Sequence, residues 1–184
     1  MRMRTDQNDH AITDGALYSE EISSARTEAL FLALTVILFL LSLWRVKAGR
    51  RNLLSTVFAC FCAFFLFYAV NYRTLTIRLT PECLKLGFGI FRWTVPLANI
   101  EACRLDELHV LKRYGGAGIH FMSIRGRYRA SLNFLEYPRV VIALRRKAGP
   151  VQDISFSTRR PDVVLRLIRE AAAAQRTVRT GDAG

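Results

Sequence analysis

The chain has 184 residues, 51% of them hydrophobic, and its 27 Lys and Arg against 15 Asp and Glu give a formal charge of +12. Once two apolar runs and a polar tail are set aside, about 110 residues remain, which is room for one compact domain. Four cysteines occur with no Cys-x-x-Cys pair and no Cys/His ligand spacing, so neither zinc nor any other metal or cofactor is expected.

Residues 1–28 hold three Arg against six acids, a single aromatic and no sustained period. They are expected to form a polar, largely disordered tail, with at most a short interfacial helix over Ala16–Arg26. Two uncharged runs follow: Ala29–Trp44 has eleven Leu, Ile, Val or Phe in sixteen positions, and Leu53–Val70 has ten in eighteen. At about −0.3 to −0.6 kcal/mol per such residue, each run gains several kcal/mol on entering lipid. A pair of buried core helices would keep a polar stripe toward solvent, and neither run has one. The segment 29–70 is therefore predicted to be a transmembrane hairpin, antiparallel because the basic turn between the runs is short. A cleaved leader fits badly, since six acids precede the first run and a second follows at once. Trp44 and Tyr72 mark the headgroup layers, while Cys60 and Cys62 read as small apolar residues within the second span.

Residues 71–175 read as the folded domain and 176–184 as a disordered tail. Thr74–Thr80 alternates apolar and polar residues, as a strand with one buried face does. Cys83–Leu86, Phe91–Val95 and Ile100–Leu105 continue the pattern across turns at Pro81-Glu82, Gly87-Phe-Gly89 and Pro96. Ile119–Ile124 and Tyr128–Phe134 flank Arg125-Gly126-Arg127, and Arg139–Leu144 pairs with Gln152–Ser157 across Ala148-Gly-Pro150. Pro161 opens an amphipathic helix whose stripe is Val163, Val164, Leu167, Ile168, Ala171 and Ala172. The fold class is α+β: a two-helix hairpin, a curled sheet of about seven antiparallel strands, and a closing helix.

The order of these elements and several of their segments resemble the bacterial PH-like (pleckstrin-homology-like) membrane proteins. The matching residues are Leu79-Thr-Pro-Glu-Cys-Leu-Lys-Leu-Gly87, Val95-Pro-Leu-Ala-Asn-Ile100, Tyr114-Gly-Gly-Ala-Gly-Ile119, Val140–Leu144 and Ile154-Ser-Phe-Ser-Thr-Arg-Arg-Pro161. The resemblance covers about residues 53–173. It implies a β-barrel or sandwich with a C-terminal helix, a non-catalytic binding role, and residence in a bacterial inner membrane. Eukaryotic relatives that bind phosphoinositides carry a basic Lys-x-Arg pattern at the first hairpin turn; here that turn is Thr80-Pro81-Glu82, so such a site is not carried over.

Asn71–Gly184 holds twenty Lys or Arg against nine acids. A domain this basic beside a bilayer is drawn to anionic headgroups at about 1 kcal/mol per nearby cation, and to acidic proteins by the same field. The leading candidate surface is Arg125, Arg127 and Arg129, which in an extended segment point to one side, with Lys112 and Arg113 upstream. A solvated strand face is the bland alternative. Nucleic acid is not expected, because Tyr114, Tyr128 and Phe134 accompany no single-strand binding motif. Gly115-Gly-Ala-Gly118 lacks the Lys-Ser/Thr ending of a phosphate loop. His109, His120, Asp106, Glu107, Ser123 and Asp153 supply acid–base residue types without a diagnostic spacing, so no catalytic site is assigned. Positive charge near the span ends is nearly balanced; the domain is placed in the cytoplasm because a strongly basic domain crosses an energised membrane less readily. In an oxidising compartment instead, Cys83 and Cys103 would be candidates for a bridge. The expected function is a protein- or anionic-lipid-interaction module at the membrane surface, with a structural subunit of a larger membrane complex as the alternative. A lipid enzyme would need a polar group at membrane depth, and the spans carry no charge.

Overall fold

The computed structural model describes residues 15–49, 53–106, 118–134 and 136–181, with side chains as far as Gln175. The elements are β1 (Tyr18–Ser23), α1 (Ala25–Lys47), α2 (Leu53–Asn71), β2 (Thr74–Leu79), β3 (Cys83–Phe88), β4 (Phe91–Pro96), a 3-10 turn (Leu97–Asn99), β5 (Ile100–Leu105), β6 (Gly118–Ile124), β7 (Arg127–Asn133), β8 (Arg139–Ala148), β9 (Val151–Ser157) and α3 (Pro161–Gly181).

Helices α1 and α2 have 23 and 19 residues, about 35 and 28 Å at 1.5 Å per residue. Each is long and apolar enough to cross a membrane. Their large apolar side chains face outward: Leu40, Trp44, Phe61, Phe64 and Val70 are half or more exposed. The buried positions are instead small or polar, Thr27 and Thr35 on α1 and Ser55 and Ala69 on α2. Small residues let two backbones approach, and outward Leu and Phe are stable only in an apolar medium. The pair is thus no core of the β domain.

The hairpin is spliced between two paired strands. Strand β1 runs antiparallel to β2 with Ser23 opposite Thr74, so one strand leads into α1 and the other receives α2. Only Ser24 separates β1 from α1, and it caps the helix by accepting the Thr27 N–H at 3.1 Å. This corrects the expectation of a disordered tail through residue 28. Tyr18-Ser-Glu-Glu-Ile-Ser escapes periodicity because Ile22 is its one fully buried residue and the inner position Glu20 is charged. That carboxylate is satisfied from across the fold, accepting from Thr158 Oγ1 at 2.6 Å, from the Arg159 N–H at 3.0 Å and from Tyr18 OH at 2.9 Å. Burial, and then the charge of Glu20, push the Tyr18 phenol well above its ordinary range.

The strands form two sheets, β1-β2-β3-β4 and β5-β8-β9-β7-β6. This corrects the expected sheet of about seven strands: among the described residues there are nine, they do not close into one barrel, and β7 pairs with β9 in parallel. The unexpected strand is β1, supplied by the tail, and the parallel pair arises because β9 inserts between β8 and β7. Between the sheets lies one core, with Leu75, Ile77, Leu86 and Phe88 from the first and Leu132, Phe134, Ile142, Ile154 and Phe156 from the second. Phe88 meets Phe134 edge-on at 5.2 Å. Each such side chain stabilises by about 1.5–3 kcal/mol on full burial. Helix α3 lies along β5 and the 3-10 turn, burying Val164, Leu165, Ile168, Ala171 and Ala172. Its stripe is rotated slightly from the expected one, Leu165 replacing Val163 and Leu167 at the centre. The helix also continues to Gly181, into the stretch expected to be a tail, because no breaker intervenes before that glycine.

Both sheets have a helical end and a far end. Tyr68 of α2 lies against Gly118, the first residue of β6, and Gly89 in the β3–β4 turn sits on the Asn71 carbonyl. The β6–β7 turn, the β8–β9 hairpin and the Thr80–Glu82 turn therefore lie at the end remote from α1 and α2.

Candidate functional site

The Arg125–Arg129 segment is not a continuous extended row. Ile124 pairs with Arg127, and Arg125 and Gly126 between them have φ of 51° and 78°. That is the two-residue hairpin turn in which both central residues are left-handed. Arg125 is thus at a hairpin tip, and the expected three-arginine row is corrected to a pair, Arg127 and Arg129, on one face of β7. Lys112 and Arg113 lie outside the described residues, as do Glu107, His109 and the Tyr114–Ala117 part of the Gly-rich segment.

The pair faces away from the apolar core, yet that outer face is buried. Arg129 is 3% exposed and Asp153 1%. Arg127 Nε donates to Asp153 Oδ1 at 2.8 Å, while the Arg129 guanidinium lies 3.6 Å from Asp153 and 3.7 Å from Asp106. At those lengths Arg129 acts through charge more than through ideal hydrogen bonds. Parallel pairing aligns Arg129 with Asp153 and Ser131 with Ser155, whose hydroxyls bond at 2.6 Å. Ser157 Oγ accepts the Phe134 N–H at 2.9 Å. Beyond them Asn133 is fully buried, and both polar atoms of its side chain, like Arg129 Nε, have no hydrogen-bond partner among the described residues. His120 stands opposite Ser131. Burial, and secondarily the charge of Arg139, hold its imidazole below the ordinary value, so it is neutral near pH 7.

Asp106, Asp153 and His120, read from the sequence only as residue types, are therefore brought onto one sheet face. There the two carboxylates are engaged by arginines. Among the described residues no group of three His, Cys, Asp or Glu is arranged to hold a metal ion. Ser123, on the opposite face of β6, stays apart.

Sequence reasoning missed three cations. Arg145, Arg146 and Lys147 are exposed at the end of β8, pinned where the Arg146 N–H donates to Asn99 Oδ1 at 2.8 Å and Arg145 Nε reaches the Ile100 carbonyl at 3.4 Å. With Arg125 at the neighbouring tip and half-exposed Arg127, they make a basic crown at the far end. About 20 Å of strand separates the level of Arg127 from that of Asn133, beside the helices. The signal is the run Arg-Arg-Lys before Ala148-Gly-Pro150, which falls between the expected strand Arg139–Leu144 and its turn and is assigned to neither.

A cavity of about 240 Å³ lies between β5 and α3, lined by Ile100, Glu101, Cys103, Ile168, Arg169 and Ala172. Arg169 Nη2 donates to the Cys103 carbonyl at 3.2 Å, and burial raises the Cys103 thiol above its ordinary value. All four cysteines are free. No family model, curated protein or solved structure matches this chain.

Proposed function

We propose that this is a non-enzymatic membrane protein in which α1 and α2 span a bacterial inner membrane and a PH-like domain presents its far end to an acidic protein. The observation that carries the reading is the basic crown, Arg125, Arg127, Arg145, Arg146 and Lys147, on the end of the second sheet turned away from the helices. Cations so placed do not reach the headgroups of the bilayer that holds the helices. They suit a partner approaching from the aqueous side, by steering at long range and pairing at contact. Two sheets around one core with a C-terminal helix along β5 support the PH-like part of the reading, in an open form. A cytoplasmic domain is favoured by the same positive charge.

The test is photo-crosslinking in cells, with a benzophenone amino acid in place of Arg146 in the full chain. Discrete protein adducts are expected, and they should disappear when Arg125, Arg145 and Lys147 are reversed to Glu. Absence of adducts, or adducts indifferent to the reversal, overturns the proposal.

A further inference from the structure

The turn between β3 and β4 exposes two large apolar residues beside the last turn of α2. Ile90 is 64% exposed and Phe91 47%. Gly89, at φ +61°, brings this tip so close to Asn71 that a side chain there would collide with the Asn71 carbonyl. Phe91 stacks on Tyr72 at 6.2 Å, and Tyr72 meets Phe67 of α2 at 6.2 Å. Phe67 and Val70 are themselves 44% and 64% exposed. Through the buried ring of Tyr72, exposed Ile90 and Phe91 are thus held beside the exposed apolar end of α2 at Phe67 and Val70.

The polar groups flanking this surface fit the edge of a bilayer. Glu28 at the start of α1 and Arg73 just after α2 pair at 2.7 Å, marking the level at which the helices leave the apolar phase. Arg92, next along β4, is exposed on the sheet face opposite Phe91. An aromatic and an aliphatic side chain followed by a cation is the order that an interfacial wedge needs, with rings at the acyl boundary and a guanidinium at the phosphates.

We infer that the Gly89–Phe91 tip is a second membrane contact, with Ile90 and Phe91 inserted into the headgroup layer of the same bilayer and Arg92 on lipid phosphate. The inference rests on the reading that α1 and α2 span that bilayer. It gives the tip a definite occupant, lipid, and sets the tilt of the domain. With the tip seated, the crown at the opposite end is held in water.

Single-tryptophan reporters in the full chain test it. In a Trp44→Phe, Trp93→Phe background, Ile90→Trp reports the tip, Phe64→Trp the span, and Lys147→Trp the far end. Each is placed in nanodiscs of phosphatidylcholine and phosphatidylglycerol, with or without dibrominated acyl chains. Trp at 90 is expected to be quenched about twofold, as for a ring about 5–10 Å into the interface. Trp at 64 should be quenched at least as strongly, and Trp at 147 not at all. Quenching at 64 with position 90 behaving like 147 overturns the wedge and leaves the span standing. No quenching at 64 overturns both.

Discussion

The two sheets share a core but differ in what stands behind them. The outer face of the first carries Arg78 and Lys85 in water, so its polar side chains are solvated whatever their neighbours. The outer face of the second buries Arg129, Ser131, Asp153 and Ser155, whose partners lie within the protein. Alternation of apolar and polar residues looks the same in both. What differs is the penalty for leaving a polar group unmatched, small in water and several kcal/mol in the interior.

The largest test of that contrast is Asp153→Asn. It removes a carboxylate shared by Arg127 and Arg129 and is expected to lower the unfolding free energy of the full chain in detergent by about 3–5 kcal/mol. Lys85→Ala, on the solvated face, should stay within about 0.5 kcal/mol. Equal effects from the two in denaturant titrations would erase the distinction between the sheets.

Next in size is a pair of glycines. Gly89→Ala collides with the Asn71 carbonyl besides adopting a positive φ, and a loss of about 3 kcal/mol is expected. Gly126→Ala meets nothing within 4 Å, so only the left-handed strain of about 1–2 kcal/mol applies. Thermal unfolding that ranks Gly126→Ala as the worse would show that the first sheet is not braced on α2.

Asn133→Leu sharpens the comparison from the other side. Because neither polar atom of this buried amide has a partner among the described residues, an apolar replacement of similar volume should raise stability by about 1 kcal/mol. Destabilisation would mean that the amide is satisfied in solution. The smallest effect is one of pH. His120 has its folded-state value below the ordinary 6.5, so the unfolded chain takes up the proton first. Its contribution is complete above pH 6.5 and is lost as the pH falls from there toward the folded value. Melting temperatures between pH 7.5 and 5 should fall less steeply for His120→Gln than for the parent chain.

Much of the fold was legible in advance where one physical rule acts along the chain. The helical hairpin, the strand positions from Thr74 to Ser157 and the helix opened by Pro161 all follow from periodicity and turn chemistry. Strand β1 was not, because Glu20 occupies an inner position and its partners, Thr158 and Arg159, are some 138 residues away. The candidate site was half legible. Arginine content pointed to β7, but a left-handed Arg125 hides the turn, since Arg-Gly is a weak turn signal beside Asn-Gly.

Composition and spacing alone determined that this chain has a hairpin fit for lipid, one basic β domain and a closing helix, because burial of apolar surface depends on local pattern. Only the tertiary structure decided that the hairpin is spliced between β1 and β2, that Arg129 is locked between Asp106 and Asp153, and that the exposed cations gather at the end away from the helices. Those outcomes depend on which strands pair, and pairing joins residues whose separation along the chain carries no periodic signal.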